Sequence, residues 1–373
     1  MKRRAVLCDG LWPKGAQDTL LNYTCCSVVA FVILTGSCAW ASDSPASLKT
    51  VKRAQLLMGT LVQVTAVGPS EQVAGLAASA GLAEIRRLEA LLSTWIPTSE
   101  LSRVNAAAGL SPVAVSPETM TILAWSLEIA RLTGGAFNIA VGPAVDAWSV
   151  TDEPRIPDDA ELARLKPLLE LTQMQLNEQA GTVFLTRPHM RLDVGGIGKG
   201  FAADLAVAAM QAAGASAGVV ALSGDIKTFG EMADGGPFLF GIRHPRLEGT
   251  LLARVELRDE AISTAGDYER FFEKDGINYH HILDPDTLWP ARACQSVTII
   301  ARQGVMADGL DTGIFVLGPE RGIELVERLP DVEALIVDRD GKVWISSGLK
   351  GRVHMEPSSL EEDRDRSASR LTR

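Results

Sequence analysis

The chain has 373 residues, of which 46% are hydrophobic and 22% are charged, with a formal net charge of -10. This length and apolar content are enough to bury a substantial core. The acidic balance argues against a nucleic-acid partner, because proteins that bind nucleic acids usually carry a basic face.

The N-terminal segment has the pattern of a secretory signal. Positive residues from Lys2 to Arg4 precede an apolar run from Cys25 to Leu34, and Ala39-Trp40-Ala41 resembles a cleavage site. We therefore interpret residues 1–41 as a signal peptide and expect a periplasmic protein. Anchoring through a lipid on Cys38 is the less favoured alternative, and membrane contact is expected only in that case.

Cysteine usage excludes two kinds of site. Once residues 1–41 are removed, Cys294 is the single remaining cysteine. One cysteine supplies neither a disulfide framework nor a thiolate metal site. We expect it to be a small buried apolar side chain.

Apolar periodicity predicts alternating strands and helices over most of the chain. The predicted strands include a pair within 48–67 and single strands at 218–222, 238–243, 251–258 and 296–301. Hairpins are expected at 261–285 and 333–346, and helices at 71–92, 118–132, 158–169, 306–317 and 320–329. Residues 135–143 are expected to be irregular, because glycine and proline oppose a helix there.

The most informative stretch runs from Arg191 to Asp204. It reads as a short apolar strand ending at Asp193, then four glycines and Lys199, then an alanine-rich helix. Glycines at such a turn let the backbone approach a ligand, and the amides at a helix start favour an anion. The stretch thus predicts a phosphate or nucleotide site, although a glycine-rich turn needed only for packing would explain the same pattern.

A dinucleotide-binding fingerprint is a partial match to this stretch. Gly198 to Ala203 fit G-x-G-x-x-A, and Asp225 follows at roughly the twenty-residue spacing of the ribose-binding acid. A lysine inside the fingerprint is unusual, and no second βαβ unit follows. An oxidoreductase is therefore the weakest of the functional interpretations.

The predicted hairpin carries candidate acid–base groups. A two-residue turn at Asp275-Gly276 would pair Arg270 with His281, among aromatic residues, and would leave His280 among polar groups. A histidine in such a place is a candidate acid, base or ligand contact, but a core histidine with only a structural hydrogen bond is an equal alternative. Asp284 ends the strand and could place a carboxylate at the same rim.

Two acids and a hydroxyl lie within one predicted helix. Asp308 and Thr312 are four residues apart and share a face, with Asp311 at its edge. An all-oxygen set of this kind suits a hard cation such as Mg²⁺. Without further context, the pattern favours a capping aspartate with a solvated second acid.

Together these stretches resemble the FAD:protein FMN transferase (ApbE-like flavin transferase) family over roughly residues 50–350. The segments that carry the resemblance, in order, are Met58-Gly59-Thr60, Ser93–Glu100, Gly135–Asn138 with Val141–Pro143, Asp193–Asp204, Ser223–Ile226, Ile262–Phe271, His281–Pro285 and Ala307–Thr312.

The resemblance implies an exported enzyme that uses FAD and Mg²⁺. Such an enzyme attaches FMN through a phosphoester to a Thr or Ser of a partner protein, expected to be a redox or membrane electron-transfer subunit, and releases AMP. The positions that the resemblance assigns to FAD are Met58, Trp95, Ala136, Phe137, Asn138, Asp193, Lys199, Asp225, Thr264 and Ile282. The positions that it assigns to the metal are Gly196, through its carbonyl, with Asp308, Asp311 and Thr312.

His281 and Asp284 are the candidate catalytic groups, because the attacking hydroxyl needs a base. An FAD pyrophosphatase that gives FMN and AMP and a non-catalytic flavin-binding protein are the alternatives. The expected fold is α+β, with mixed β-sheets flanked by helices in one unit and an FAD cleft between two halves. That domain is assigned to residues 42–350, and residues 351–373 are expected to be a charged, disordered tail.

Overall fold

The structure is a computed structural model that describes residues 48–232 and 235–356. The predicted signal peptide lies outside these residues. The helices are α1 (Glu71–Leu92), α2 (Glu100–Ala106), α3 (Pro117–Leu132), α4 (Gly142–Trp148), α5 (Asp159–Leu165), α6 (Gly198–Ala212), α7 (Gly304–Leu317) and α8 (Pro319–Val326).

The strands fall into a first group before α6 and a second group after it. The first group is β1 (Lys49–Leu57), β2 (Thr60–Gly68), β3 (Val113–Ala114), β4 (Met174–Asn177) and β5 (Thr182–Leu185). The second is β6 (Ala217–Leu222), β7 (Asp225–Phe229), β8 (Phe238–Arg243), β9 (Leu251–Leu257), β10 (Ala261–Gly266), β11 (Phe271–Lys274), β12 (Ile277–His280), β13 (Cys294–Ala301), β14 (Val332–Asp338), β15 (Val343–Ile345) and β16 (Val353–Met355).

An eight-stranded sheet forms the centre of the described fold, in the order β1-β2-β6-β7-β10-β13-β14-β15. Every neighbouring pair in it is antiparallel. Three smaller sheets accompany it: β16-β9-β8, β3-β5-β4 and the two-stranded β11-β12. The predicted α+β class is confirmed.

The two faces of the large sheet pack against different layers. Successive side chains of a strand point to opposite faces. In β13, Val297 and Ile299 join the core formed with α1, α6 and α7, whereas Ile300 joins the core formed with β8 and β9. Helices therefore cover one face and the β16-β9-β8 sheet covers the other.

Local signals in the sequence explain where several helices begin. Ser70, Ser99 and Ser116 each accept a hydrogen bond from a backbone amide in the first turn of the helix that follows. Pro143 lies in the first turn of α4, where the missing amide hydrogen costs little. The expectation that proline keeps residues 135–143 irregular is thus wrong at its end, because the proline starts a helix.

The hairpin prediction is confirmed in register for its central part. Phe271 pairs with His280 across a turn in which Asp275 and Gly276 both have positive φ. The ladder does not continue to Leu283, which forms a bridge with Pro290 instead. The 333–346 hairpin is confirmed as β14 and β15.

Two predicted boundaries need correction. Residues 186–197 contain no strand, so Asp193 does not end one, and the strand–turn–helix unit of a dinucleotide fold is missing. The tail prediction from residue 351 is also wrong at its start, because β16 pairs with β9 there. Residues 357–373 lie outside the described part.

No helix within residues 48–232 and 235–356 is long and apolar enough to cross a membrane.

Candidate functional site

Three carboxylates lie close together between the large sheet and the helix α7. Asp308 and Asp311 lie on α7, and Asp225 is the first residue of β7. One ligand atom from each lies within 4.8 Å of the others, and all three side chains are buried. Residues more than eighty positions apart in sequence therefore form one cluster.

Lys199 and Ser263 connect the members of this carboxylate cluster. The Lys199 ammonium forms an ion pair with Asp225. Ser263, in β10, contacts Asp225 and lies 2.5 Å from Oδ2 of Asp311. The hydroxyl of Thr312 donates to the other Asp311 oxygen at 3.0 Å.

The electrostatics of the cluster follow from its burial. Burial raises the pKa of Asp308 to about 7, and the nearby Asp225 carboxylate contributes to the rise. Burial and the Asp308 charge raise the pKa of Asp311 well above its usual value. Burial opposes the charge of Lys199, but the carboxylates, Asp225 first among them, hold its pKa above the ordinary value.

One lysine balances only one of the three carboxylates. Two negative charges without counter-ions are costly in a buried site. The donors are all oxygen, and Thr312 adds a hydroxyl beside Asp311. This set fits a divalent hard cation such as Mg²⁺.

Gly196 lies next to the hydroxyl end of this set. A Cβ built on Gly196 would be 3.1 Å from Oγ1 of Thr312 and 3.6 Å from Cε2 of Phe137. The predicted metal position at Gly196 and the predicted flavin position at Phe137 are therefore neighbours. A larger side chain at Gly196 would crowd the threonine hydroxyl.

The turn between β1 and β2 reaches the start of α6. Met58 has a φ of 51°, and its Cε lies 4.0 Å from the Cβ position of Gly198. Its backbone amide donates to Glu89 of α1 at 2.6 Å. Met58 is thus held beside the glycine-rich stretch by a contact from a different helix.

The segment before α4 is tied to the loop that carries Asp193. The Asp193 amide donates to the carbonyl of Ile139 at 2.7 Å, and its Oδ1 accepts from Gly195 at 2.8 Å. Asn138 accepts from Ala140 and donates to Leu169, so its side chain is used in holding the segment. Ala136 precedes this segment in the turn after α3.

Trp95 differs from the other predicted contacts in its exposure. Its side chain is 80% exposed in the turn that follows α1, whereas Phe137 is 3% exposed. An exposed ring of this size is available to stack on a planar ligand.

The end of the hairpin holds the two candidate catalytic groups. Nδ1 of His281 is 3.2 Å from the carbonyl of Arg270. Burial and the Arg270 guanidinium lower the pKa of His281 to about 3. Oδ1 of Asp284 accepts from the Asp286 amide at 2.8 Å, within a turn. Ile282, between them, is buried.

His280 is more deeply buried than the sequence predicted. It is 2% exposed, and its ring meets Phe315 of α7 edge-on. The expected polar neighbours are present, because Asn278 and Arg292 line the same pocket as His280, but its burial against Phe315 was not predicted. Phe272 and Tyr279 of the hairpin stack on each other.

Thr264 is not brought to the carboxylate cluster. Its hydroxyl lies 2.9 Å from that of Thr298, whereas its neighbour Ser263 contacts Asp225 and Asp311. Adjacent residues in a strand point to opposite faces. Ser263 was missed. Alternation along β10 puts it on one face with Ala261 and Ala265, but alternation alone does not show that this face meets the helices.

Known proteins resemble the chain along most of its length. The sequence model of the ApbE family matches residues 58–336. An FAD:protein FMN transferase of Treponema pallidum is 35% identical over 350 residues, covering 88% of this chain and 94% of the relative. One of Klebsiella pneumoniae is 34% identical over 327 residues, covering 85% and 93%.

Solved structures agree with the fold. The ApbE protein of Thermotoga maritima superimposes with a TM-score of 0.76 at 29% identity, over 82% of this chain and 99% of that chain. The flavin transferase ApbE of Vibrio cholerae gives a TM-score of 0.73 at 28% identity, with the same coverage.

Proposed function

The chain belongs to the ApbE family, and from this premise we propose that it is an FAD:protein FMN transferase, the activity for which its curated relatives are named. The observation that carries the proposal is the buried cluster of Asp225, Asp308 and Asp311 with Lys199. A pyrophosphate is a poor electrophile until its charge is neutralised, and this cluster can hold the cation and the lysine that do so.

The proposed reaction transfers one phosphoryl group. The hydroxyl oxygen of a Thr or Ser in the acceptor protein forms a bond to the phosphorus of the FMN half of FAD. The bond from that phosphorus to the bridging oxygen breaks, and AMP leaves with the oxygen. The hydroxyl proton passes to a base of the enzyme.

The metal proposed for the site is Mg²⁺. Asp308, Asp311, Thr312 and the carbonyl of Gly196 would hold it. Bound there, Mg²⁺ supplies charge neutralisation at the phosphoryl oxygens. Lys199 would add a second positive charge at the pyrophosphate when FAD is bound. Without FAD, its partner is Asp225.

His281 is the base that the hydrogen bonding favours. A carbonyl oxygen can only accept, so the contact with Arg270 assigns the proton to Nδ1 and leaves the lone pair on Nε2. Its low pKa keeps the ring neutral with Nε2 unprotonated, but makes it a weak base when no substrate is bound. An anionic pyrophosphate nearby would offset the Arg270 charge and raise that pKa, which strengthens the base when substrate is bound.

Asp284 is the alternative base. One of its oxygens is already bonded to the amide of Asp286. The second oxygen is the one that could accept a proton from an acceptor hydroxyl. The bond from Asp284 to the Asp286 amide also holds the turn, so it supports equally well a role for Asp284 in positioning the 281–285 segment.

The flavin is proposed to lie between Trp95 and the segment that contains Ala136 and Phe137. The exposed Trp95 ring offers a stacking surface, and Met58 flanks the start of α6. Ile282 would contact FAD from the hairpin side. The partner is proposed to be an exported or membrane redox protein, in line with the periplasmic location expected from residues 1–41.

The test is transfer in a defined mixture. The purified chain is incubated with FAD, Mg²⁺ and a candidate acceptor domain, and flavin fluorescence is read in a denaturing gel. We expect a fluorescent acceptor band that EDTA abolishes. AMP release without a labelled protein would indicate a pyrophosphatase, and bound FAD without turnover would indicate a flavin carrier.

A further inference from the structure

The helices α6 and α7 both begin without a capping side chain of their own. Ile197 precedes α6 and Gln303 precedes α7, and neither makes a side-chain capping bond. The first amides of a helix have no partner within it, so they need acceptors from elsewhere.

Each of these two helices receives its acceptor from the other. Asp204 of α6 reaches the start of α7, where its Oδ1 accepts from Gly304 at 2.8 Å and its Oδ2 accepts from Val305 at 3.0 Å. In return, Oδ2 of Asp308 in α7 accepts from the amide of Gly200, the third residue of α6, at 2.8 Å.

Glycines bring the two helix backbones into contact between these bonds. A Cβ on Gly200 would overlap the carbonyl of Gly304, and a Cβ on Gly304 would approach the carbonyl of Gly200 to 2.5 Å. Contact without side chains between them leaves little freedom for one helix to move against the other.

The consequence for the carboxylate cluster is direct. One Asp308 oxygen is used on Gly200, which leaves the other to face a cation. Lys199 is on α6, whereas Asp308 and Asp311 are on α7. The position of α7 along α6 therefore sets the spacing between the lysine and the two acids.

We propose that Asp204 is a positioning residue of this metal centre. By capping α7 it fixes that helix against α6, and so it holds Asp308 and Asp311 in place for the cation. This inference rests on the metal centre of the proposed function. Both Asp204 oxygens are bonded to amides at the start of α7, so Asp204 would act through that helix and not by contact with the cation or the substrate.

The test is Mn²⁺ binding by the full chain, followed by electron paramagnetic resonance, in wild type and Asp204→Asn. The amide replaces one acceptor by a donor that faces a backbone N–H. We expect the Kd for Mn²⁺ to rise 10- to 100-fold, the range typical of lost outer-shell partners. In transfer assays the Mg²⁺ requirement should rise in parallel, with most of kcat restored at saturating Mg²⁺.

Asp338→Asn is the matched control. Asp338 accepts from the amides of Asp340 and Lys342 and from the indole of Trp344, within the β14–β15 hairpin. It should lower the Tm but leave the Kd for Mn²⁺ unchanged. A folded Asp204→Asn chain with the wild-type Kd overturns the proposal, as does an equal loss of affinity in Asp338→Asn.

Asp204→Glu keeps the test available where Asp204→Asn does not fold. Its longer carboxylate still accepts both amides but displaces α7, so a few-fold rise in Kd is expected and a wild-type Kd overturns the proposal. If wild type binds Mn²⁺ and Asp204→Asn binds it weakly, the inference stands even if neither chain transfers FMN. Transfer by both chains with equal Mn²⁺ affinity overturns the inference alone.

Discussion

Lys199 is the residue on which the charge balance of the carboxylate cluster depends. Within the part of the chain that the structure describes, it is the cation paired with Asp225, and Asp308 and Asp311 also stabilise its charge. If FAD binds as proposed, its pyrophosphate competes with Asp225 for this ammonium. Lys199 would then pair with Asp225 in the free protein and with the pyrophosphate in the FAD complex.

Lys199→Met should therefore lower the single-turnover rate of FMN transfer by about 10²- to 10³-fold, the usual effect of removing one preorganised charge. Lys199→Arg, which keeps the charge, should lose less. The rates are measured at saturating FAD and Mg²⁺. A wild-type rate for Lys199→Met would remove Lys199 from the proposed site.

Asp308→Asn is expected to abolish the stabilisation of the folded chain by Mg²⁺. Wild type should gain about 2.7 kcal/mol at a Mg²⁺ concentration of 100 times Kd. The amide can still accept from Gly200 but has lost the charge that holds a cation. Thermal unfolding with Mg²⁺ and with EDTA measures the difference.

The control for the Asp308 variant is Glu324→Gln, because Glu324 is an exposed acid of α8 that pairs with Arg328 just beyond the helix. It should keep the Mg²⁺ response of wild type. An unchanged response in Asp308→Asn would contradict the metal site at α7.

Among the individual site residues, the sequence identified Asp308, Asp311 and Thr312, because helical spacing places them together without any knowledge of the rest of the fold. Ser263 escaped it, because only the pairing of β10 with its neighbours decides which of Ser263 and Thr264 faces the helices. The link from Asp225 to Lys199 is equally a product of tertiary packing.

The hairpin β11–β12 is the element whose register the sequence predicted best, since a two-residue turn with positive φ at both positions dictates the pairing. Its surroundings depend on α7, which no local pattern relates to it. For the same reason the burial of His280 was missed. Buried against Phe315, His280 uses both ring nitrogens in the neutral form.

His280 should make the protein sensitive to acid. Burial lowers its pKa, although a hydrogen bond to Ala291 and the charge of Asp267 oppose this and Arg292 and Arg246 add to it. Below about pH 6.5, this histidine binds a proton in the unfolded chain but not in the folded chain. The free energy of unfolding therefore falls as the pH falls, by at most about 1.4 kcal/mol per pH unit.

Urea unfolding of wild type and His280→Gln at pH 7.5 and 5.5 isolates this effect. Wild type should lose more free energy of unfolding over the interval than the variant does. His281 and the buried acids are present in both chains, so their contributions cancel to first order. Equal losses would show that His280 does not contribute.

For the molecule as a whole, the last described strand closes the outer three-stranded sheet. Val353 and Met355 of β16 pack against the core beneath β8 and β9, and Arg352 forms two hydrogen bonds with Glu260. Hydrophobic periodicity did not reveal β16, because three residues next to a charged segment are too short to show an alternation.

A chain that ends at Lys350 should be less stable than one that ends at Glu356, by about 2 kcal/mol from the lost apolar burial. For a protein of this size that corresponds to a Tm decrease of roughly 3 °C. Calorimetry of the two chains measures it. The same Tm for both would show that β16 contributes no net stability.

The reciprocal capping of α6 and α7 also bears on when the enzyme gains its activity. The residues of the carboxylate cluster and Lys199 lie between positions 199 and 311 of the sequence. In the described fold, β14 and β15 are the strands of the central sheet that follow α7. A chain still being made or still unfolded has no assembled cation site, because metal binding of this kind is coupled to folding. If residues 1–41 act as the proposed signal peptide and the chain is exported unfolded, FAD in the cytoplasm would meet an inactive chain, and flavin transfer would begin only after folding on the other side of the membrane.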